Sequence, residues 1–188
     1  MNGGDNIKPT IISICGKSAS GKDTFLKNYL KQDSSANKIL LATSRPIREG
    51  EADGKDYTFC KRSKIKKSAE KYLWPIEYND WTYAIVKDSI KEEKENIGVF
   101  NLYWIKKLLS PENTDYNIIL VHLYADDKER LFRSLNREKN PDCKEICRRF
   151  LADEDEWNDV DFQILLNNFK EKYPRNYYLI NTASVKNS

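Results

Sequence analysis

The sequence predicts an α/β domain with a mainly parallel sheet flanked by helices. Short apolar strands alternate with amphipathic helices along most of the 188 residues, and this alternation is typical of a parallel sheet covered on both faces. The most apolar strand is predicted at 117–123. A glycine-bounded loop at 16–22 directly follows the first apolar run. Such a sheet places its ligands at the carboxyl ends of its strands, so we expect a site there.

Each strand is predicted where β-branched and apolar residues run together between turn residues. The predicted strands cover residues 10–14, 38–42, 97–102, 117–123 and 177–180. Pro46, Gly50 and Gly54 exclude a long helix from segment 43–59, which is therefore predicted as a structured loop ending in a short strand. The aromatic-rich segment 74–83 is predicted to be extended.

The helices are predicted from apolar residues that recur every three or four positions. Phe25, Leu26, Tyr29 and Leu30 form such a face directly after the glycine-bounded loop. The helix after the third strand is expected to end at Pro111. Further helices are predicted within 61–71, 84–94, 126–137, from residue 141 onward, and within 162–169.

Composition narrows the class of protein. The net charge is only +3, with both signs interspersed, which argues against a dedicated nucleic-acid-binding protein. Residues 1–6 lack the regions of a signal peptide and no apolar run is long enough to span a bilayer, so we expect a cytoplasmic protein without a membrane partner. Cys143 and Cys147 share one helical face, but the further ligands of a zinc site are missing nearby.

The loop after the first strand has the pattern and context of a phosphate-binding loop. Its residues are Gly16, Lys17, Ser18, Ala19, Ser20, Gly21 and Lys22. The glycines let several backbone N–H groups point at one anion, and the helix start adds unpaired donors and a positive dipole end. Lys22 would bring a cation to the outer phosphates of a nucleotide. Asp23 and Thr24 are the candidate Mg²⁺ ligands, since hard oxygens suit that ion.

A second phosphate site is predicted in segment 43–59. Arg45 and Arg48 flank Pro46, which stiffens the backbone between them. Two guanidinium groups held close together favour an anion between them, because arginine offers a rigid donor fork for phosphate oxygens. Tyr57 can add a hydroxyl donor. The alternative is a pair of solvated surface arginines, which an isolated pair would favour.

The surrounding residues resemble the monophosphate-binding segment of guanylate kinases. The matching positions are Ser44, Arg45, Pro46, Arg48, Gly50, Glu51, Gly54, Asp56, Tyr57 and Phe59. The resemblance implies a P-loop nucleoside monophosphate kinase fold, with a core at 8–43, 96–135 and 158–184, a nucleotide-binding subdomain at about 44–95 and a helical lid at about 136–157. It also implies transfer of the terminal phosphoryl group of ATP, with Mg²⁺, to GMP or dGMP.

The resemblance further implies roles for individual residues. The acceptor would be held by Arg45, Arg48, Tyr57, Glu77, Tyr83 and Asn101, with Glu77 reading the guanine edge. ATP would lie on 16–24 and near Asn181. Lys22 and Arg45, with Arg137 and Arg149 from the lid, would offset charge during transfer. Arg133 and Arg148 compete for the two lid positions.

The sequence also departs from the family at the acceptor site. Val99 and Asn101 stand where the family carries Asp-x-Asp, Leu41 replaces a hydroxyl residue, and Ala84 and Ile85 replace a glycine and a hydroxyl residue. The sequence therefore does not identify the acceptor base, because polar groups at such positions decide which base an enzyme accepts.

Two alternatives to a guanylate kinase follow from these departures. One is the same chemistry on another nucleoside monophosphate, and the other is a non-catalytic module that binds phosphorylated proteins. The intact Gly16, Gly21 and Lys22 favour the enzyme. Asp23 is then a candidate for the missing metal-side carboxylate. The sequence leaves the oligomeric state open.

Overall fold

The structure of this protein is a computed structural model that describes residues 8–48, 50–78, 80–113, 115–137 and 139–183. Residues 1–6, which lack the pattern of a signal peptide, lie outside that part of the chain. In the ranges described, no helix is both long enough and apolar enough to cross a membrane.

The strands and helices alternate through most of the described chain. The strands are β1 (Thr10–Cys15), β2 (Asn37–Lys38), β3 (Leu41–Thr43), β4 (Tyr57–Phe59), β5 (Tyr72–Tyr78), β6 (Trp81–Val86), β7 (Glu95–Val99), β8 (Asn117–Tyr124) and β9 (Tyr177–Asn181). The helices are α1 (Lys22–Gln32), α2 (Arg62–Lys67), α3 (Leu102–Leu109), α4 (Asp127–Asn136), α5 (Cys143–Trp157) and α6 (Val160–Lys172).

The main sheet confirms the predicted parallel architecture. Its five strands follow the order β2-β7-β1-β8-β9, and all of these pairs are parallel. The central strand β1 is almost wholly buried. One apolar cluster lies beneath α3 and α6, and a second lies beneath α1. The sheet is therefore covered on both faces, as its apolar strands require.

Four helices begin where a polar side chain caps them. Asn101, Asp126, Asp142 and Asp159 each accept a hydrogen bond from the backbone N–H three residues later. Such caps satisfy donors that the first turn leaves unpaired. Helix α1 differs, because Gly21 precedes it without a capping side chain. Its first N–H groups therefore remain directed toward the phosphate loop.

The second sheet is built from residues 41–86 and has the strand order β4-β3-β6-β5. Its two sides have different neighbours. The α2-facing side packs on Ile65 through Ala42, Tyr72 and Ala84. The core-facing side packs on the main apolar cluster through Leu41, Leu73, Ile76, Tyr83 and Ile85. These two names are used below for the two sides.

The predicted elements hold with three corrections. The predicted strand 38–42 divides between β2 of the main sheet and β3 of the second sheet. The extended segment 74–83 is a hairpin of β5 and β6 with a turn around Asp80, whose φ is 64°. The predicted helix 84–94 is wrong, because residues 81–86 pair with both β3 and β5 and only a short 3₁₀ turn follows. Sheet pairing thus overrides a helix-like charge pattern.

Candidate active site

The phosphate loop requires glycine at its first position. Gly16 has a φ of 146°, and a Cβ added there would lie 2.2 Å from the carbonyl oxygen of Leu123. Gly21 has a φ of 90° and lies directly before α1. Ala19 also has a positive φ, of 60°. These backbone angles bend the loop so that it passes closely over the end of β8.

Lys22 folds back over this loop. Its Nζ donates to the carbonyl oxygens of Gly16, at 2.7 Å, and Lys17, at 2.9 Å. Burial lowers the pKa of Lys22, and the charges of Asp153 and Asp23 oppose this shift. The ammonium group is therefore held at the loop by carbonyl oxygens that a phosphate could replace as its partner.

Two helices outside the loop also bind it. The carboxylate of Asp153 accepts from the backbone N–H of Ser18, at 2.7 Å, and from its hydroxyl, at 3.2 Å. Arg130 is 1% exposed; its Nε donates to the carbonyl oxygen of Ser18 at 3.0 Å, and its Nη2 to Asp153 at 2.9 Å. Lys17 and Glu154 form an ion pair beside them. This network ties α4 and α5 to the phosphate loop.

Sequence reasoning missed Arg130, Asp153 and Glu154. They lie on helices rich in both charges, where charged side chains usually face solvent. The side chains that meet across α4 and α5 are separated by 23 positions in the case of Arg130 and Asp153. No local motif carries that information.

The end of β9 lies against the other side of the loop. Arg133 donates to the hydroxyl of Thr182 at 3.0 Å and to its carbonyl oxygen at 2.8 Å. The Thr182 hydroxyl also lies 3.0 Å from the carbonyl oxygen of Ser20. Asn181 is exposed beside this junction and accepts from the N–H of Ala183. The structure thus brings Asn181 to the rim of the phosphate loop.

The second predicted phosphate site is organised around Arg45. This side chain is 7% exposed, and it binds both carboxylate oxygens of Glu51, at 2.7 and 2.5 Å. Its guanidinium carbon lies 4.9 Å from the centre of the Tyr57 ring and 5.3 Å from that of Phe59. Glu51 also accepts from the N–H of Arg48 at 2.9 Å. Hydrogen bonding to Arg45 lowers the pKa of Glu51 to about 2.

The ring of Tyr57 lies between Arg45 and Tyr83 in the second site. Burial raises the pKa of Tyr57; Arg45 opposes the rise, and the charges of Tyr83 and Asp23 add to it. The rings of Tyr57 and Tyr83 are 6.5 Å apart. Arg48 is exposed next to this group. The second site therefore combines two arginines with two tyrosine hydroxyls.

Glu77, which was predicted to read the acceptor base, lies apart from this group. It pairs with Thr82 across the β5–β6 ladder, on the side opposite to Tyr83. Its carboxylate accepts from the Thr82 hydroxyl at 2.8 Å and binds Lys66 at 2.8 Å and Arg62 at 3.5 Å. Glu77 thus joins α2 to the second sheet.

Asn101 is placed at the start of α3, where its Oδ1 accepts from the N–H of Trp104 at 3.1 Å. Its amide nitrogen remains as a donor group. Val99 ends β7 two residues earlier and supplies no polar atom. The carboxyl end of β7 therefore presents one amide rather than a pair of carboxylates.

The two expected lid arginines lie on different elements. Arg137 follows the last residue of α4 and is exposed. Arg149 lies in α5, where its Nε donates to Glu145 at 2.7 Å. Arg148 binds the same carboxylate. The structure brings Arg130 and Arg133 to the phosphate loop, whereas the hydrogen bond described for Arg149 is to Glu145.

A cavity of about 300 Å³ lies beside the phosphate loop, between the end of β8 and α5. Lys17, Ser20 and Gln163 contribute polar groups to its wall. The ring of His122 stacks on Trp157 with centroids 4.5 Å apart, and its Nδ1 lies 3.0 Å from the Tyr177 hydroxyl. Burial, followed by the charges of nearby lysines, lowers the pKa of His122 to about 4. The imidazole is therefore neutral at pH 7.

Metal ligands are few in the described residues. No group of three or more His, Cys, Asp or Glu side chains is arranged there to hold a metal ion. Asp23 and Thr24 are exposed in the first turn of α1. Their oxygens are the donor type that Mg²⁺ binds when a nucleotide's phosphates complete its coordination. These residues fit a metal carried by ATP rather than a closed protein cage.

Comparison with known proteins identifies a family whose model matches this chain. The family model described as guanylate kinase matches residues 7–182. The guanylate kinase of Prochlorococcus marinus is 29% identical over 180 residues, covering 92% of this chain and 97% of that protein. The guanylate kinase of Rickettsia prowazekii is 26% identical, covering 96% and 94%.

A solved structure supports the same fold. The crystal structure of guanylate kinase from Anaplasma phagocytophilum covers 93% of this chain and 78% of its own chain, with a TM-score of 0.57 and 16% identity. At that identity the likeness concerns the fold alone.

Proposed function

Because this chain belongs to the guanylate kinase family, we infer that it transfers the terminal phosphoryl group of ATP to GMP or dGMP, giving ADP and GDP or dGDP. The observation that carries this function is a pair of cationic sites, one for the phosphates of ATP and one for the phosphate of the acceptor. One is the loop that ends in Lys22, and the other is the buried Arg45 with Tyr57.

Phosphoryl transfer asks the protein for alignment and for positive charge around the moving group, not for a nucleophilic side chain. Lys22 supplies one charge, since its two carbonyl partners can be exchanged for phosphate oxygens. Arg45 supplies another at the acceptor. Glu51 and the two aromatic rings fix its guanidinium in advance, which reduces the ordering needed when the acceptor binds.

We propose that Mg²⁺ is held by Asp23 and Thr24 together with ATP. Asp23 and Thr24 would hold the ion beside the phosphates, where it would supply positive charge that offsets the charge developing during transfer. Asp23 would also supply the carboxylate that Val99 lacks. The backbone N–H groups at the start of α1 would bind phosphate next to it.

The lid roles of Arg137 and Arg149 remain part of the proposal. Burial and the charge of Glu156 raise the pKa of Tyr78, while Arg148 lowers it. A further movement of the segment between α4 and α5 would be needed to carry Arg137 over the phosphates. Such closure would exclude water and prevent hydrolysis of ATP.

The remaining features of the proposal concern its setting. We propose a cytoplasmic enzyme whose partners are ATP and a nucleoside monophosphate, without nucleic acid or membrane. The support is the net charge of only +3 with interspersed signs, which argues against a dedicated nucleic-acid-binding protein.

The test is a coupled assay of ADP formation against a panel of nucleoside monophosphates. Lys22→Ala should abolish transfer, whereas Lys27→Ala, on an exposed part of the same helix, should not. Arg45→Ala should chiefly raise KM for the acceptor. ATP binding without acceptor-dependent turnover would contradict the kinase and favour a module that binds phosphorylated proteins.

A further inference from the structure

We propose that this enzyme selects its acceptor base by shape and stacking on an apolar wall, not by a hydrogen-bonding carboxylate. GMP is then one acceptor among several nucleoside monophosphates. The inference rests on the proposed function and specifies the substrate range of the same site. Its basis is the side of the second sheet on which each acceptor residue lies.

The two aromatic rings beneath the Arg45 guanidinium lie on the core-facing side. Tyr57 pairs with Leu41 and Phe59 with Thr43 in the β3–β4 ladder. Thr43 in turn pairs with Tyr83 of β6. Residues that pair directly share one side of a sheet. A nucleotide whose phosphate lies at Arg45, over the rings of Tyr57 and Phe59, must therefore extend along this side.

This side offers mainly apolar groups to a base. Leu41, Ile76 and Tyr83 are half-buried there, and they pack against the cluster that contains Ile85 and Phe100. Aromatic and aliphatic surfaces of this kind bind any base through its faces, because every base has a stacking surface.

Most polar atoms near this wall have other roles. The hydroxyl of the buried Thr43 accepts from the N–H of Arg45. The Oδ1 of Asn101 caps α3, and its amide nitrogen remains as a single donor group. The ladder residues named for this side include no carboxylate and no amide. The hydroxyls of Tyr57 and Tyr83 remain, and a hydroxyl can donate or accept, so it does not distinguish one base edge from another.

A β-bulge removes Glu77 from this wall. Leu73 pairs with Ile85 and Ile76 with Tyr83, so three steps along β5 correspond to two along β6. The extra residue lies at 74–75, where Trp74 has a φ of 46°. Alternation resumes one position later, and Glu77 falls on the α2-facing side.

The bonds of Glu77 keep it there. Its carboxylate is shared by the Thr82 hydroxyl, Lys66 and Arg62, and hydrogen bonding to Lys66 lowers its pKa. Bringing it to the base would require a one-residue slip of β5. That slip would move every side chain of β5 beyond the bulge to the opposite side.

The magnitude of base discrimination separates the two modes of recognition. A site that hydrogen-bonds the substrate's polar groups rejects an analogue without them by about 10⁴–10⁵, whereas an apolar pocket discriminates by about 10–200-fold. We therefore expect kcat/KM for GMP, IMP and AMP to agree within about 100-fold. IMP lacks the 2-amino group of guanine and AMP reverses the polarity of its edge, so these two report directly on a reading carboxylate.

The experiment measures kcat/KM of the full chain with GMP, IMP and AMP at fixed ATP and Mg²⁺. Values within about 100-fold support the inference, and a preference for GMP above about 1,000-fold over both others overturns it. Glu77→Gln should leave the ratio among the three acceptors unchanged. A selective loss of GMP turnover in that variant would also overturn the inference, because it would place the carboxylate on the base.

A second variant tests the apolar wall itself. Ile76→Ala should raise KM for all three acceptors by a similar factor, while Ile164→Ala, an exposed change on α6, should not. An effect of Ile76→Ala on one base alone would contradict selection by a shared wall. Absence of turnover with every monophosphate would instead reject the proposed function itself, so the two failures are distinguishable.

Discussion

The single histidine of this chain provides a sharp test of the structure. His122 lies at the end of β8, stacked on Trp157 and in contact with the Tyr177 hydroxyl. Burial is the main cause of its lowered pKa, and the charges of Lys170, Lys17 and Lys22 add to it. The folded pKa is about 4, against an ordinary value of 6.5. This difference links folding to pH.

The sign of the pH dependence follows from proton binding in the folded and unfolded states. Above pH 6.5 the imidazole is neutral in both states, so its burial does not reduce the free energy of unfolding. As pH falls below 6.5, the unfolded chain takes up a proton that the folded protein still refuses, and unfolding becomes more favourable. Since each pH unit in this window is worth about 1.4 kcal/mol, the free energy of unfolding should fall by about 2 kcal/mol between pH 7 and pH 5.

The assay compares wild type with His122→Phe, which keeps an aromatic ring on Trp157 but removes the titrating nitrogen. Urea unfolding at pH 7, 6 and 5 gives the slope for each protein. The two proteins share every other titrating group, so the difference between their slopes isolates the imidazole. In wild type the drop corresponds to about 4–8 °C in Tm for a chain of this size.

Nuclear magnetic resonance gives an independent readout, because one histidine yields one set of imidazole signals. We expect these signals to stay at their neutral positions from pH 7.5 down to about pH 5. A titration midpoint near pH 6.5, together with equal slopes for wild type and variant, would refute the reasoning from burial.

Three further predictions concern the phosphate sites. Gly16→Ala should lower Tm and abolish ATP binding in calorimetry, because its Cβ would lie 2.2 Å from the carbonyl oxygen of Leu123; normal ATP affinity would contradict the loop geometry. Asp153→Ala should lower the free energy of unfolding by about 2 kcal/mol, and equal urea midpoints for it and for the exposed control Asp155→Ala would show that the bond to the loop contributes nothing. Glu51→Gln should loosen the Arg45 guanidinium and raise KM for GMP by about tenfold. A change confined to the KM for ATP would contradict the assignment of Arg45 to the acceptor.

Much of the fold could be predicted because its signals are local. The phosphate loop was found from glycine positions next to an apolar strand, and the structure places Gly16 and Gly21 at the positive φ angles that such a loop needs. Four of the described helix starts are likewise fixed by one capping side chain each, such as Asp126 or Asp142. Short-range backbone chemistry of this kind is encoded within a few residues.

The candidate site was predicted less completely, because its parts come from distant segments. Arg45 and Tyr57 lie 12 positions apart in one recognisable pattern, and the structure places the guanidinium of Arg45 over the Tyr57 ring. Arg130 and Asp153 bind the phosphate loop from positions more than 100 residues away. The residues next to a charged side chain on a helix do not show whether it is buried against a partner or exposed to solvent.

The sequence by itself determined the parallel sheet, the phosphate loop and the membership of a family that transfers a phosphoryl group from one nucleotide to another. Only the tertiary structure decided which side of β5 carries each side chain. One extra residue beside Trp74 reverses the alternation and turns Glu77 toward α2. Alternation along a strand has a period of two, so a single bulge, which depends on the neighbouring strand, changes the chemistry of the entire face.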